Sequence, residues 1–202
     1  MERGKLIVFE GLDHTGKTTQ ILLAEKWLNE QGIANTRYRE PGGTKVGERI
    51  RALLLDRDEN MTFKTEMLLF FASRVQLAQE HVLDDLEEGR NVILDRYYYS
   101  TAAYQGPYMT GGIASVLAMA RTLELPEPDL VLCLDGNPAE LARRQQGTPD
   151  RIEAKGVEYQ RNVRRAYIEI CDITPNFYFV NAELHVQEVH DQVVAHLKRI
   201  FP

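Results

Sequence analysis

A short apolar run followed at once by a glycine-rich loop opens this chain. Leu6-Ile7-Val8-Phe9 has the composition of a buried strand, and residues 11–18 read Gly-Leu-Asp-His-Thr-Gly-Lys-Thr, which fits the pattern G-x-x-x-x-G-K-[ST]. Its glycines let the backbone curl so that successive N–H groups point at phosphate oxygens. A chance match is the alternative, and the order strand, loop, helix argues against it. The pattern therefore predicts a site for a nucleoside triphosphate.

Each residue type in this loop suits phosphate chemistry. Lys17 places a positive charge near the β- and γ-phosphates, and the Thr18 hydroxyl can ligate Mg²⁺. The residues expected to contact the nucleoside triphosphate are Gly11, Leu12, Asp13, His14, Thr15, Gly16, Lys17, Thr18 and Thr19.

Apolar runs alternate along the chain with stretches of helical periodicity. The predicted strands are residues 5–9, 36–39, 91–94, 130–134 and 177–180. The predicted helices are residues 16–30, 45–56, 64–87, 113–124, 138–144, 153–172 and 186–199. This alternation indicates a parallel sheet with helices on both faces, and no linker-like stretch interrupts it. We expect one α/β domain over residues 1–202, with three α/β/α layers around a five-stranded parallel sheet.

Charge and cysteine content narrow the classes of function. The 202 residues carry a net charge of −6, which argues against a protein that coats nucleic acid. Cys133 lies in a strand-like run and Cys171 in a helical one, so we expect reduced, buried thiols. No apolar run approaches the roughly 18 residues of a membrane span, and the first strand begins too early for a signal peptide. We expect a cytoplasmic protein without nucleic-acid or membrane partners.

The interior segment with the strongest loop character lies between arginines. Residues 145–150 read Gln-Gln-Gly-Thr-Pro-Asp, with Arg143 and Arg144 before them and Arg151 after them. We interpret residues 143–153 as a flexible basic lid over bound phosphates. An ordinary surface turn is the alternative.

Two predicted strands end in aspartate. Asp95 follows Val92-Ile93-Leu94 at the sheet edge where α/β folds bind ligands, and we expect it to hold Mg²⁺ through water. Arg96 presents a fork of N–H donors that suits a transferring phosphate, although an internal Asp95–Arg96 ion pair is the alternative. Asp135 ends the fourth strand, and there we favour helix capping or a turn.

Four sequence blocks together resemble the thymidylate kinases of bacterial type. They are residues 9–13 (Phe-Glu-Gly-Leu-Asp), 39–44 (Arg-Glu-Pro-Gly-Gly-Thr), 95–106 (Asp-Arg-Tyr, then Ser-Thr-Ala-Ala-Tyr-Gln-Gly) and 150–153 (Asp-Arg-Ile-Glu). The resemblance spans nearly the whole chain. It implies a P-loop kinase fold, transfer of the γ-phosphoryl of ATP to dTMP with Mg²⁺ as cofactor, and a homodimer formed through apolar helix faces.

The resemblance also implies a binding site for dTMP. In such enzymes the loop acid, here Asp13, lies by the sugar 3′-hydroxyl, Phe70 stacks on thymine, Arg74 donates to its O4, and Tyr104 crowds the sugar 2′ position. The implied dTMP site is Asp13, Glu40, Arg51, Phe70, Arg74, Arg96, Thr101, Tyr104 and Gln105. The implied catalytic residues are Asp13, Lys17, Arg96, Arg144 and Arg151, and the metal-binding residues are Thr18 and Asp95.

Without the resemblance, the sequence also allows other roles for some of these residues. Asp13 can be loop filler, Arg51 can be a solvated surface residue, and Phe70 can belong to the core or to a dimer face. Family members often carry Arg or Gly where this chain has His14, and many carry Arg where it has Gln146. Arg144, Arg151 or a protonated His14 is then left to stabilise the migrating charge.

Two other functions are also compatible with the phosphate loop. A broader deoxynucleoside monophosphate kinase that also accepts dUMP differs only in one methyl contact, worth about 1 to 3 kcal/mol. A P-loop switch protein belongs to a different class, and it calls for a guanine-reading Asn-Lys-x-Asp segment, which this sequence lacks.

Overall fold

The computed structural model of this chain describes residues 2–145 and 147–201. Its strands are β1 (Leu6–Gly11), β2 (Asn35–Arg39), β3 (Asn91–Asp95), β4 (Leu130–Asp135) and β5 (Phe177–Asn181). They form one sheet in the order β2-β3-β1-β4-β5, and every neighbouring pair is parallel.

The helices that flank this sheet alternate with the strands along the chain. They are α1 (Lys17–Glu30), α2 (Lys45–Leu55), α3 (Phe63–Leu77), α4 (Leu83–Glu87), α5 (Tyr98–Tyr104), α6 (Gly112–Thr122), α7 (Pro138–Arg143), α8 (Gly156–Ile173) and α9 (Val186–Ile200). Short 3₁₀ turns cover Gly106–Tyr108 and Glu153–Lys155. The predicted three-layer α/β/α fold with a five-stranded parallel sheet is confirmed.

Side chains of the central strand β1 alternate between two helical layers. Leu6 and Val8 belong to a core shared with α3, α5, α6 and α8, whereas Ile7 and Phe9 belong to a second core shared with α1 and α9. Because both faces of the strand are buried, its first four residues form an uninterrupted apolar run.

The parallel register brings the carboxyl ends of three strands to one edge of the sheet. Asp95 at the end of β3 lies opposite Phe9 in β1 and opposite Arg39 in β2. The backbone of Gly11 lies so close to β4 that an added Cβ would sit 2.3 Å from the carbonyl oxygen of Leu134. Only glycine fits there, and this is where the predicted phosphate loop begins.

Two helical segments differ from the prediction. The predicted helix 64–87 is a continuous run through α3, a π-helical segment (Ala78–Val82) and α4. The short helix α5 was not predicted, because its Tyr-Tyr-Ser-Thr sequence has weak helix propensity. It forms because the buried Glu10 carboxylate accepts hydrogen bonds from the backbone N–H groups of Tyr97 (2.9 Å) and Ser100 (3.0 Å) at its start.

The expectation for Asp135 was wrong. Its carboxylate accepts two hydrogen bonds of 2.7 Å from the guanidinium of Arg164 on α8, and the side chain that caps α7 is Asn137, which accepts from the N–H of Ala139. A partner 29 positions away in sequence could not be read from the local pattern.

Both cysteines are free thiols, with Cys133 buried as predicted and Cys171 only half-buried. Among the helices that the structure describes, none combines the length and apolar character needed to cross a membrane.

Candidate active site

The loop between β1 and α1 is held by its own backbone and by one buried lysine. His14 and Gly16 have positive φ angles of 64° and 86°, so the chain turns sharply before α1 begins. The Lys17 ammonium donates to the carbonyl oxygens of Gly11 (3.3 Å) and Leu12 (3.0 Å). Burial and the neighbouring Arg96 lower the pKa of Lys17, while nearby carboxylates oppose that shift. The lysine is thus held at the loop, in reach of any phosphate bound there.

The Arg96 guanidinium joins this loop to the end of β3. One nitrogen donates to the Gly11 carbonyl (2.9 Å) and to Ser100 Oγ (3.1 Å), and the other donates to Asp13 Oδ1 (2.5 Å). The possible Asp95–Arg96 ion pair does not form; the carboxylate partner of Arg96 is Asp13. Burial acts to raise the pKa of Asp13, but Arg96 and Lys17 outweigh it and the net pKa is lowered. Asp13 therefore stays ionised beside two cations.

Two adjoining cavities open at this edge of the sheet. The first, here called the loop cleft, is lined by Asp13, His14, Gly16, Lys17, Thr18, Thr19, Arg39, Glu40, Arg51, Asp95, Arg96 and Glu153. The second, here called the inner pocket, is lined by Asp13, Glu40, Pro41, Arg51, Leu55, Phe70, Arg96, Ser100, Thr101, Tyr104, Gln105, Asp150 and Ile152. Asp13, Glu40, Arg51 and Arg96 line both, so the boundary between the cavities carries two carboxylates and two guanidinium groups.

Six of the nine residues predicted to bind ATP line the loop cleft. The other three, Gly11, Leu12 and Thr15, shape the loop from behind: the first two accept from Lys17, and Thr15 Oγ1 donates to the Leu12 carbonyl (2.9 Å). Both predicted metal-binding residues, Thr18 and Asp95, line the cleft.

Every residue predicted to bind dTMP lines the inner pocket except Arg74. Arg74 is buried behind the wall, where Nε donates to Glu40 Oε2 (2.6 Å) and NH1 donates to Thr101 Oγ1 (3.1 Å). The half-buried Phe70, one turn earlier on α3, does reach the pocket, so it is not simply a core residue. Arg51 donates to the Pro41 carbonyl (2.9 Å) and lines both cavities, so it is not a purely surface side chain.

Burial raises the pKa of Glu40 to about 7, although Arg74 opposes the shift and Glu10 adds to it. Glu40 thus differs from Asp13: the pKa of the Asp13 carboxyl is lowered, whereas Glu40 titrates near neutrality.

Glu10 lies behind the two cavities, and no role for it was predicted from the sequence blocks that contain it. It is fully buried, and besides the two N–H groups of α5 its carboxylate accepts from the hydroxyls of Ser100 (2.6 Å) and Tyr167 (2.8 Å). Burial raises its pKa, whereas Arg96 lowers it. By holding the start of α5, Glu10 positions the helix that carries Thr101 and Tyr104 into the pocket.

The arginines of the predicted lid are bonded away from the loop cleft. Arg151 donates to Glu66 Oε1 (2.5 Å) and to the Leu54 carbonyl (2.9 Å), and Arg144 approaches the Ala182 carbonyl (3.4 Å). His14 Nε2 lies 3.4 Å from Glu153 Oε1. Gln146 lies outside the described residues.

A profile of the thymidylate kinase family matches residues 9–193. A thymidylate kinase of Thermoanaerobacter sp. (strain X514) is 38% identical over 98% of this chain and 98% of its own length. Those of Caldanaerobacter subterraneus subsp. tengcongensis and Chlorobium luteolum are each 40% identical; the first match covers 95% of this chain and 94% of the relative, the second 97% and 98%.

Proposed function

This chain belongs to the thymidylate kinase family, and we propose on that premise that it transfers the γ-phosphoryl group of ATP to dTMP, giving dTDP for dTTP synthesis. The observation that carries the proposal is the shared boundary of the two cavities, where Arg96 and Arg51 face both sides. A donor phosphate in the loop cleft and an acceptor phosphate in the inner pocket would meet there. Phosphoryl transfer needs mainly this kind of positioning and charge stabilisation.

On the donor side, Lys17 and the loop N–H groups bind the phosphates of ATP. Mg²⁺ is the expected cofactor, with the Thr18 hydroxyl and the Asp95 carboxylate to hold it; both are the oxygen ligands that Mg²⁺ prefers. When bound, it would neutralise charge on the β- and γ-phosphates. One direct hydroxyl ligand and one carboxylate that acts through water suit a metal that is otherwise held by phosphate and water.

On the acceptor side, Arg96 and Arg51 bind the phosphate of dTMP, and Asp13 lies by the 3′-hydroxyl. Phe70 stacks on the thymine ring, and Thr101 and Gln105 face its polar edge. Tyr104 crowds the sugar 2′ position and favours deoxyribose. Arg74 acts on thymine O4 either directly, after leaving Glu40, or through Thr101, to which it donates.

The lid over residues 143–153 supplies the remaining positive charge. Its arginines are held elsewhere in this structure, so Arg144 or Arg151 must turn toward the γ-phosphate when both substrates are bound. We propose that all of residues 1–202 act as this one catalytic domain.

We further propose a cytoplasmic homodimer. Val46 and Leu53 on α2 and Leu68 on α3 are exposed apolar side chains on two helices that pack together. A second copy that covers this surface would remove them from water. Sedimentation of a Leu68→Glu variant tests this: it should sediment as a monomer, and an unchanged dimer would contradict the proposal.

The alternatives are less favoured. Family membership argues for dTMP as the acceptor, and a P-loop switch protein has no use for an inner pocket shaped for a second nucleotide. One methyl group separates dTMP from dUMP, and comparative rates measure that difference.

The test is ADP release from ATP in a coupled assay against dTMP, dUMP, dCMP, dGMP and AMP. We expect dTMP to give the largest kcat/KM. Equal rates with dUMP would favour the broader kinase, and ATP hydrolysis that ignores every acceptor would favour the switch.

A further inference from the structure

A buried carboxylate outside the predicted site connects the inner pocket to the segment that follows the lid. Glu66 on α3 is 1% exposed and accepts hydrogen bonds from three side chains. Arg151 NH1 donates to Oε1 (2.5 Å), Lys155 Nζ donates to Oε1 (2.8 Å) and Oε2 (3.0 Å), and Gln105 Nε2 donates to Oε2 (3.0 Å). Burial acts to raise the pKa of Glu66, but these hydrogen bonds outweigh it and the net pKa is lowered. Glu66 is therefore ionised and accepts only.

This acceptor determines which way the Gln105 amide points. An amide has one donor end and one acceptor end, and an ionised carboxylate can only accept. The reverse orientation would set the amide oxygen against Glu66 Oε2. Gln105 Oε1 is thus the free end of a side chain that lines the inner pocket, and it is buried without a hydrogen-bond partner in the part of the chain that the structure describes.

A buried acceptor without a partner favours a ligand that brings an N–H to it. Thymine and uracil carry a hydrogen on ring nitrogen N3, whereas the N3 of cytosine is itself an acceptor. A fixed amide oxygen would hydrogen-bond the first two and repel the third. An amide free to rotate would accommodate either.

We propose that Glu66 is a positioning residue for base specificity, which holds the Gln105 amide oxygen as an acceptor and so selects 2,4-dioxopyrimidine nucleotides over cytosine nucleotides. The inference rests on the proposed function. It adds a residue that does not line the pocket and that acts on the base through Gln105.

The same carboxylate holds the segment that follows the lid. Arg151 and Lys155 both bond to it, and the Lys155 ammonium lies 4.4 Å from the centre of the Phe63 ring. Loss of the carboxylate alone would leave two partly buried cations uncompensated, which is costly. The test therefore needs a variant that keeps the charge of this cluster.

Three variants distinguish the effect of Gln105 amide orientation on selectivity from effects on folding and on the lid. Glu66→Gln replaces the acceptor by an amide that accepts Gln105 in either orientation. The double variant Glu66→Gln/Lys155→Gln makes the same change at wild-type net charge. Lys155→Gln alone is the matched control, because it removes a contact of the segment that follows the lid and leaves Glu66 and Gln105 in place. Circular dichroism and urea unfolding identify the variants that fold.

The readout is the ratio of kcat/KM for dTMP to that for dCMP. We expect it to fall about tenfold in both Glu66→Gln proteins, the equivalent of one hydrogen bond, with KM for ATP unchanged and with the Lys155→Gln ratio at its wild-type value. A folded Glu66→Gln or double variant whose ratio stays within about twofold of wild type would overturn the inference, as would an equal fall in Lys155→Gln.

Wild-type dTMP activity is measured first, so that failure of the proposed function is distinguished from failure of this inference. Should the wild type not phosphorylate dTMP, calorimetric binding of dTMP and dCMP to the same four proteins reads the same selectivity. An unchanged affinity ratio would then overturn the inference.

Discussion

Arg96 reaches across the sheet edge to Asp13 with an N···O distance of 2.5 Å, which ties the end of β3 to the phosphate loop. Arg96 also has a positive φ of 71°, uncommon for a residue with a side chain. Such strain costs on the order of 1 to 3 kcal/mol and persists where surrounding contacts hold it. Here the backbone N–H of Arg96 donates to the Phe9 carbonyl (2.9 Å), and its guanidinium makes three further hydrogen bonds.

Arg96→Ala should impair dTMP use more than ATP binding. The guanidinium lines both cavities, but the Lys17 ammonium remains for the donor phosphates. Calorimetry with each nucleotide measures the two affinities, and Arg90→Ala, at the opposite end of β3, is the control. Equal weakening of both nucleotides would show that Arg96 is not specific to the acceptor.

Lys17→Ala should abolish phosphoryl transfer with the fold intact, because the glycines and backbone already shape the loop. Lys26→Ala, an exposed lysine on the same helix, is the matched control. Steady-state kinetics and circular dichroism measure the outcome. A Lys17→Ala enzyme with more than about a tenth of wild-type kcat, a barrier change under roughly 1.4 kcal/mol, would contradict the assigned role.

Glu40 should make the stability of the protein depend on pH. Its pKa is raised to about 7 in the fold, above the 4.5 of an ordinary glutamate, so between these values the folded state binds more protons than the unfolded state. Its contribution to stability is therefore present below pH 4.5 and is lost as the pH rises through 7.

Glu40→Gln cannot titrate. Relative to wild type, its free energy of unfolding should rise by about 1 to 3 kcal/mol between pH 5 and pH 8. Urea unfolding of both proteins at the two pH values measures this. A difference that is constant, or that falls with pH, would mean that Glu40 titrates well below neutrality.

Tyr104 tests a steric account of sugar selection. Its ring lines the inner pocket, with the Arg96 guanidinium carbon 5.5 Å from the ring centre. Tyr104→Phe should keep the preference for deoxyribose, and Tyr104→Ala should admit ribonucleotides better. Rates with dTMP and its ribose analogue measure the ratio. The steric account fails if Tyr104→Ala leaves that ratio unchanged.

The catalytic charge can come from the lid arginines or from His14, and the two hypotheses predict opposite effects of substitution. If the lid supplies the catalytic charge, Arg144→Ala or Arg151→Ala should lower kcat on the order of 10³-fold with little change in ATP affinity. Arg143→Ala is the control, since that exposed side chain pairs only with Glu140 in the described structure. His14→Gly should be nearly silent from pH 6 to 9, because glycine accepts the positive φ at this position.

The opposite result would indicate that His14 supplies the catalytic charge. A kcat that survives both arginine substitutions but falls in His14→Gly would contradict the lid assignment. A rate that drops with rising pH in the wild type but not in His14→Gly would also contradict it.

Sequence alone determined the layers of this protein and the location of its phosphate loop. Strand runs, helical periodicity and the pattern from Gly11 to Thr18 act over a few neighbouring residues, so they are legible without a structure. Through a family resemblance the sequence also named nine residues of a dTMP site, and eight of the nine line the inner pocket.

The tertiary structure alone decided which charges meet. Arg96 pairs with Asp13, Arg74 with Glu40, and Glu66 with Gln105 and the segment after the lid, at separations of 34 to 89 positions. The sheet register and the packing of α3 against α5 create these contacts, and no local pattern encodes them. The same holds for α5 itself, whose weak helical sequence folds because the Glu10 carboxylate, buried in the neighbouring strand, accepts its first N–H groups.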